Sequence, residues 1–236
     1  MVEPAMHCGQ SGAMDWDVTI ARHGEEDQPV VVIDHFADAG RFRDDAAFLS
    51  FAPIGPHYPG IRAHVAPALL RPLLERLAPI TRDVFGGASL EVVDAFYSIV
   101  TTPPDALSPI QRLPHFDEVS PTRLALLHYL SPDESSGTAF YRHRSSGYES
   151  IDAARLPTYR TYLDADLRRH GLPDAGYISG DTPIFAQVAR HAGRFNRAIL
   201  YRSNTLHCAD LPADMTLDPD PETGRLTVNT FLDLHG

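Results

Sequence analysis

Between Leu113 and Leu232 the chain is a series of short apolar or β-branched runs separated by turn-forming residues. Thr122–Leu130, Thr138–His143, Arg197–Arg202 and Gly224–Leu232 each read as a strand, with turn-rich links at 131–137 and 210–222. Runs of this kind must pair to satisfy their backbones, which commits this half of the chain to sheet. The first two, joined by a short link, read as a hairpin-like pair. The earlier part is mixed. Gln28–Asp34 and Ser89–Thr101 read as strands, and Phe42–Leu49 as a short helix. Residues 66–85 carry Leu69, Leu70, Leu73, Leu74, Leu77 and Ile80, a helical repeat. Ile151–His170 reads as a helix interrupted at Pro157, and Pro53–Arg62 as a structured loop. Its segment Tyr58–Arg62 could line a pocket, though a plain turn is the simpler reading. Helices early and strands late predict an α+β domain with a mainly β core, an antiparallel barrel or sandwich.

At 236 residues and 43% hydrophobic content, a single domain is expected over 1–236. Residues 1–15 read as a loosely held tail, 16–112 as helical and strand support, and 113–232 as the core. The formal net charge of −11 argues against a general nucleic-acid binder. All 20 basic residues are Arg, so a Lys Schiff base and a P-loop are excluded by composition. Arg is also the side chain suited to forked recognition of carboxylates. Cys8 and Cys208 form no disulfide framework. With no leader pattern and no membrane-length apolar run, a soluble, cytoplasmic protein is expected.

The chemistry gathers at Leu113-Pro-His-Phe-Asp-Glu118. On an extended backbone, residues two apart present side chains to the same face, so His115 and Asp117 stand together. An imidazole and a carboxylate make two-thirds of a 2-His-1-carboxylate site, whose open positions suit non-haem Fe(II) oxygenases. His23-x-Glu25 is a rival of the same type. His35, His64 and His128 read as structural, and Cys208 as a small buried thiol.

From here the sequence resembles a known family, the Fe(II)/2-oxoglutarate-dependent dioxygenases, in the branch that includes the prolyl 4-hydroxylases. Pro114-His115-Phe-Asp117 is similar to the family's His-x-Asp, and Arg123–Leu130 to the strand that follows it. Ser136-Gly137-Thr-Ala-Phe140 is similar to its Gly-Gly turn and strand, with the usual second glycine replaced by Ser136. Arg197–His207 resembles the strand and loop bearing the second metal histidine, and Arg225-Leu-Thr227 with Phe231 the cosubstrate-binding signature. Eighteen positions separate His207 from Arg225, longer than is usual in this branch, which makes 210–222 an insertion.

The resemblance implies a double-stranded β-helix (a jelly-roll or cupin-like barrel) flanked by N-terminal helices. It implies Fe(II) held by His115, Asp117 and His207, and 2-oxoglutarate held at its far carboxylate by Arg225 and Thr227, with Tyr129 in the position that adds a phenol. The reaction implied consumes O2 and releases succinate and CO2. An Asp at 117 favours hydroxylation over halogenation, because the carboxylate fills the place a halide would take. Arg123, Arg142, His143 and Arg144 lie on or beside the strands and could pair with an anionic group of a small-molecule, amino-acid or peptide substrate. No nucleic-acid or membrane partner is expected, and a homodimer is compatible with the sequence. Two other readings stay open: a cupin-like metal enzyme that does not use 2-oxoglutarate, and a non-catalytic metal- or ligand-binding barrel.

Overall fold

The computed structural model describes residues 15–236. The expectation of a loose tail at 1–15 therefore falls almost wholly outside the described residues, as does Cys8. The elements in order are β1 (Asp17–His23), β2 (Gln28–Asp34), α1 (Ala39–Ala47), β3 (Gly60–His64), α2 (Pro67–Phe85) and β4 (Ser89–Val100). Two 3-10 turns, Pro104–Ala106 and Pro109–Arg112, lead to β5 (Arg123–Tyr129) and β6 (Gly137–His143). Then come α3 (Leu156–His170), β7 (Phe185–Ala192), β8 (Ala198–Arg202), β9 (His207–Asp210) and β10 (Leu226–His235).

The strands form two antiparallel sheets, a seven-stranded one in the order β1-β2-β8-β5-β10-β4-β3 and a three-stranded one in the order β7-β6-β9. Strand alternation divides the core into layers. Leu124, Leu126, Leu200, Val228, Tyr97 and Ile99 face outward from the large sheet and pack on α1 and α2 through Phe42, Leu70, Leu73, Leu77 and Phe85. Ala125, Tyr129, Ile199 and Tyr201 face the other way and meet Phe140 of the small sheet. Ala139 and Tyr141, on the far face of β6, pack under α3 with Tyr159, Leu163 and Leu167. The result is helices, large sheet, small sheet, helix, with the space between the two sheets left for chemistry.

Local sequence explains the helix ends. Pro67 begins α2, where a missing N–H costs nothing, and Gly86 ends it at φ 89°, its N–H returning to the Thr81 and Arg82 carbonyls. Pro157 stands in the first turn of α3 and so starts that helix at Leu156 instead of interrupting a longer one. Among the described residues, no helix is long and apolar enough to cross a membrane.

Two expectations are corrected. β5 and β6 do not form a hairpin: β5 lies between β8 and β10 in the large sheet, β6 between β7 and β9 in the small one. The link 130–136 crosses from sheet to sheet, a long-range arrangement that adjacency in sequence could not reveal. The end of the loop expected at Pro53–Arg62 is strand β3, paired with β4 so that Arg62 stands opposite Ser98. Gly60 allows this approach, because a Cβ there would overlap the Ile99 carbonyl. Strands β1, β7 and β9 were not anticipated. β1 is an edge strand exposed along most of its length, without the buried face that marks a strand in sequence.

His128 sits in the helix-facing layer, bonded through Nε2 to Asn196 Oδ1 (2.9 Å) and edged by Phe36 and Phe42. Burial pulls its pKa down to about 4, against a slight upward pull from Asn196. The unfolded chain takes up this proton near pH 6.5 and the folded chain only near pH 4. The stability His128 protects is therefore present above pH 6.5 and lost as pH falls toward 4. Between pH 7 and pH 4.5 wild type should lose roughly 2–3 kcal/mol more than His128→Gln in urea unfolding. Equal losses in the two proteins would show that His128 is not held neutral.

Candidate metal centre and cavity

Chain geometry builds the first half of the site from main-chain bonds. His115 and His207 form an isolated antiparallel bridge, each N–H donating to the other's carbonyl at 2.9 and 2.8 Å. Asp117 N–H donates to Ser203 O at 2.9 Å and fixes the next extended position. The alternation that puts His115 and Asp117 on one face thus also brings His207 opposite them.

The imidazole Nε2 atoms of His115 and His207 lie 3.6 and 3.5 Å from the two oxygens of Asp117, and the rings are 4.5 Å apart. All three ligand atoms fall within 4.8 Å of one another, and together they can hold a metal ion. His207 Nδ1–H donates to Thr205 O (2.8 Å), which fixes the tautomer and leaves the Nε2 lone pair facing Asp117. Burial lowers the His207 pKa to about 4, so this ring is neutral at pH 7. At Asp117 burial pushes upward, but His207, His115 and Arg62 more than offset it and the carboxyl stays below its usual range. Both groups are in their ligating forms at neutral pH. The His207 side chain is 8% exposed and that of His115 49%, so the group opens on the His115 side.

The second half is a cavity of about 480 Å³ between the sheets, lined by these three residues and by Arg62, Thr138, Tyr201, Arg225 and Thr227, among others. That volume suits a small-molecule site. Arg225 stands just before β10 and is 5% exposed. Its Nε–H donates to Ser136 Oγ (2.9 Å) and an Nη2–H to Gly137 O (3.1 Å). No ion pair among the described residues includes it. A buried guanidinium without a carboxylate is costly, and it leaves donors for an anion entering the cavity.

The loop before Arg225 is tightly built. Asp218 Oδ1 accepts from Asp220 N–H, Asp220 Oδ1 from Glu222 N–H, and Asp218 Oδ2 from the Thr223 hydroxyl. Gly224 presses so closely on the Asp218 and Asp220 carbonyls that a Cβ would not fit. The acidic stretch 210–222 thus delivers Arg225 to the start of β10. Thr227 pairs with Ser98 on one side and Tyr129 on the other, and its hydroxyl donates to Asn229 Oδ1 (2.8 Å). Tyr129 lies beneath the cavity wall, its hydroxyl 2.7 Å from Thr138 Oγ1 and its ring 6.0 Å from the Arg225 guanidinium.

With this geometry in place, comparison with known proteins gives one decisive match. A family model described as "Family of unknown function (DUF6445)" covers residues 14–232. The chain belongs to DUF6445. No curated protein matches it. It is similar to the solved structure of SnoN, described as a non-heme alpha ketoglutarate dependent epimerase from nogalamycin biosynthesis: 13% identity, 87% of this chain and 77% of that one, TM-score 0.49. It is also similar to HygX from Streptomyces hygroscopicus with nickel and 2-oxoglutarate bound: 15% identity, 88% and 83% coverage, TM-score 0.46. A third is SnoK, described as a non-heme alpha ketoglutarate dependent carbocyclase: 14% identity, 88% and 80% coverage, TM-score 0.46.

In this DUF6445 member three of the four basic residues expected to meet a substrate anion lie outside the cavity, and the fourth is already paired. Arg123 lines the cavity margin but is paired with Asp233, Nε to Oδ1 at 2.6 Å. Arg142 is held by Glu149 (3.1 Å) and Glu25 at the β1–β2 turn. His143 is fully buried beneath α3, with Asp166 Oδ2 at 3.1 Å and Ser146 Oγ at 2.8 Å. Arg144 binds Asp181 (2.7 Å) and Thr182 O (2.9 Å). Arg142, His143 and Arg144 do not line the cavity, since acids outside it hold each of them. The rival pair His23-x-Glu25 is divided in the same way: His23 Nε2 lies 2.7 Å from His191 Nε2, while Glu25 pairs with Arg142. Arg62 and Tyr58 line the cavity, so the Tyr58–Arg62 segment, read more simply as a plain turn, is a pocket wall instead. The alternation Gly60, Arg62, His64 was the available signal for Arg62.

Proposed function

We propose that this DUF6445 protein is a non-haem Fe(II)- and 2-oxoglutarate-dependent oxygenase that hydroxylates a C–H bond of a small molecule, amino acid or peptide. One observation carries the reading: two imidazoles and a carboxylate open into the same cavity as a buried arginine that has no acidic partner among the described residues. The donor set fits the ion, since two neutral nitrogens and one carboxylate on one face are what a 2-His-1-carboxylate site requires. The arginine fits the cosubstrate, since a dicarboxylate chelating through its oxo-acid end leaves its far carboxylate to be neutralised. When bound, iron with 2-oxoglutarate and O2 supplies oxidation of substrate coupled to release of succinate and CO2.

In this reading His115, Asp117 and His207 hold the ion, and the Thr205 carbonyl keeps His207 in its ligating tautomer. Arg225 and Thr227 receive the far carboxylate. Tyr129 acts at one remove, orienting Thr138 and lying under Arg225. The sheets on either side exclude water, which strengthens each charged contact. Ligands from the 113–118 segment, β9 and the start of β10 support one catalytic unit on a jelly-roll-like core. A buried free thiol at Cys208 suits a reducing, cytoplasmic setting.

The test is anaerobic titration of the protein with Fe(II) and then 2-oxoglutarate, followed by exposure to O2. Chelation should give a weak visible charge-transfer band, and oxygen should give succinate even without substrate. Iron binding with no band and no succinate would point to a metal enzyme of another class, and no iron binding to a non-catalytic barrel.

A further inference from the structure

The cavity contains a second arginine that the proposed cosubstrate does not use. Arg62 on β3 belongs to a row that crosses four strands: Tyr129, Thr227, Ser98 and Arg62 are successive partners on β5, β10, β4 and β3. It therefore faces the same space as the Arg225 site, but from the edge of the sheet. Its guanidinium lies 3.9 Å from the Tyr58 ring centre and 5.0 Å from that of Phe96. Stacking of this kind orients the planar fork without using its N–H donors. Nε is buried with no hydrogen-bond partner, and no ion pair among the described residues includes the side chain.

Two acids lie near it, neither in an ion pair with it among the described residues. Asp117 is a member of the metal group, and Asp94, which also feels Arg62, stands 3.8 Å from His64. Arg225 is the deeper of the two cations and Arg62 the more open. A cosubstrate that occupies the deep site leaves the outer one for the molecule that enters afterwards.

We propose that Arg62 receives an anionic group, a carboxylate or a phosphate monoester, of the molecule to be oxidised. This substrate class rests on the oxygenase reading. The side chain so placed is a specificity determinant, with Tyr58 and Phe96 holding it in position.

The test uses protein loaded with Ni(II) and 2-oxoglutarate, probed by thermal unfolding with hexanoate, hexyl phosphate and hexanamide at millimolar concentration. At least one acid should raise the melting temperature while hexanamide does not, and the larger shift tells carboxylate from phosphate. Arg62→Gln should weaken binding of that acid about tenfold or more, and Arg62→Lys should keep part of it. Affinity for 2-oxoglutarate should stay within about twofold of wild type in both variants, since a lost charged hydrogen bond would cost far more. The proposal is overturned if acids and amide behave alike, if no acid binds, or if Arg62→Gln loses 2-oxoglutarate as well. Should Arg62→Gln fail to fold, Arg62→Lys and the wild-type comparison of acid with amide decide. Failure of wild type to bind 2-oxoglutarate at all would instead remove the oxygenase reading.

Discussion

Arg225→Met should bind 2-oxoglutarate between about 30-fold and more than 1,000-fold more weakly than wild type, the 2–5 kcal/mol usual for truncating one partner of a buried charge pair. The same variant, free of ligand, should melt no lower than wild type. Without the cosubstrate, Arg225 is a guanidinium only 5% exposed and held by one hydroxyl and one carbonyl. Replacing even a buried ion pair with apolar side chains of similar volume is often neutral or stabilising by about 1–4 kcal/mol. A buried guanidinium with no carboxylate beside it carries the desolvation cost without that attraction. Against that stand two acceptors, Ser136 Oγ and Gly137 O, that lose a donor at about 1–3 kcal/mol for a group left unsatisfied. Relief of the buried charge at least offsets this loss. The opposite signs make the test sharp, because a purely structural Arg225 would lower the melting temperature and leave affinity untouched. Calorimetric titration of the Ni(II) form and thermal unfolding of the apo form read both quantities.

His207→Ala should leave the fold intact and reduce Fe(II) affinity by more than about 100-fold, beyond the 10- to 100-fold seen when only an outer-shell partner is lost. The backbone is the reason for intact folding. Main-chain bonds close the bridge between positions 115 and 207, and Asp117 N–H is held by Ser203 O, so none of these contacts needs the imidazole. What is lost is the neutral nitrogen aimed at Asp117. Anaerobic metal titration should show it, with far-ultraviolet circular dichroism unchanged. Wild-type iron affinity in this variant would mean that the ion, if bound, sits elsewhere.

Much of this arrangement was legible because it is local. The His115–Asp117 pair follows from a two-residue spacing on extended chain, whereas Arg225 and Thr227 were singled out by the family resemblance. The helix over 67–85 follows from its apolar repeat. What could not be read depends on partners far away in sequence. Arg142 and Arg144 look available until Glu25 and Asp181 are seen to hold them. Arg62 looks like a turn residue until Ser98 and Thr227 are found beside it in the row. β5 and β6 look like a hairpin until each acquires two other neighbours. β1 lacks a buried face and so carries no alternation to detect.

The order of the large sheet has a consequence for how the molecule is made. β10 lies between β4 and β5, yet it leaves the ribosome after both. Until it emerges, those two strands have exposed edges that must wait, uncapped, for a neighbour still being synthesised. Arg225 and Thr227 arrive with that same strand, so closing the sheet and completing the arginine-lined end of the cavity are a single late event in the life of the nascent chain.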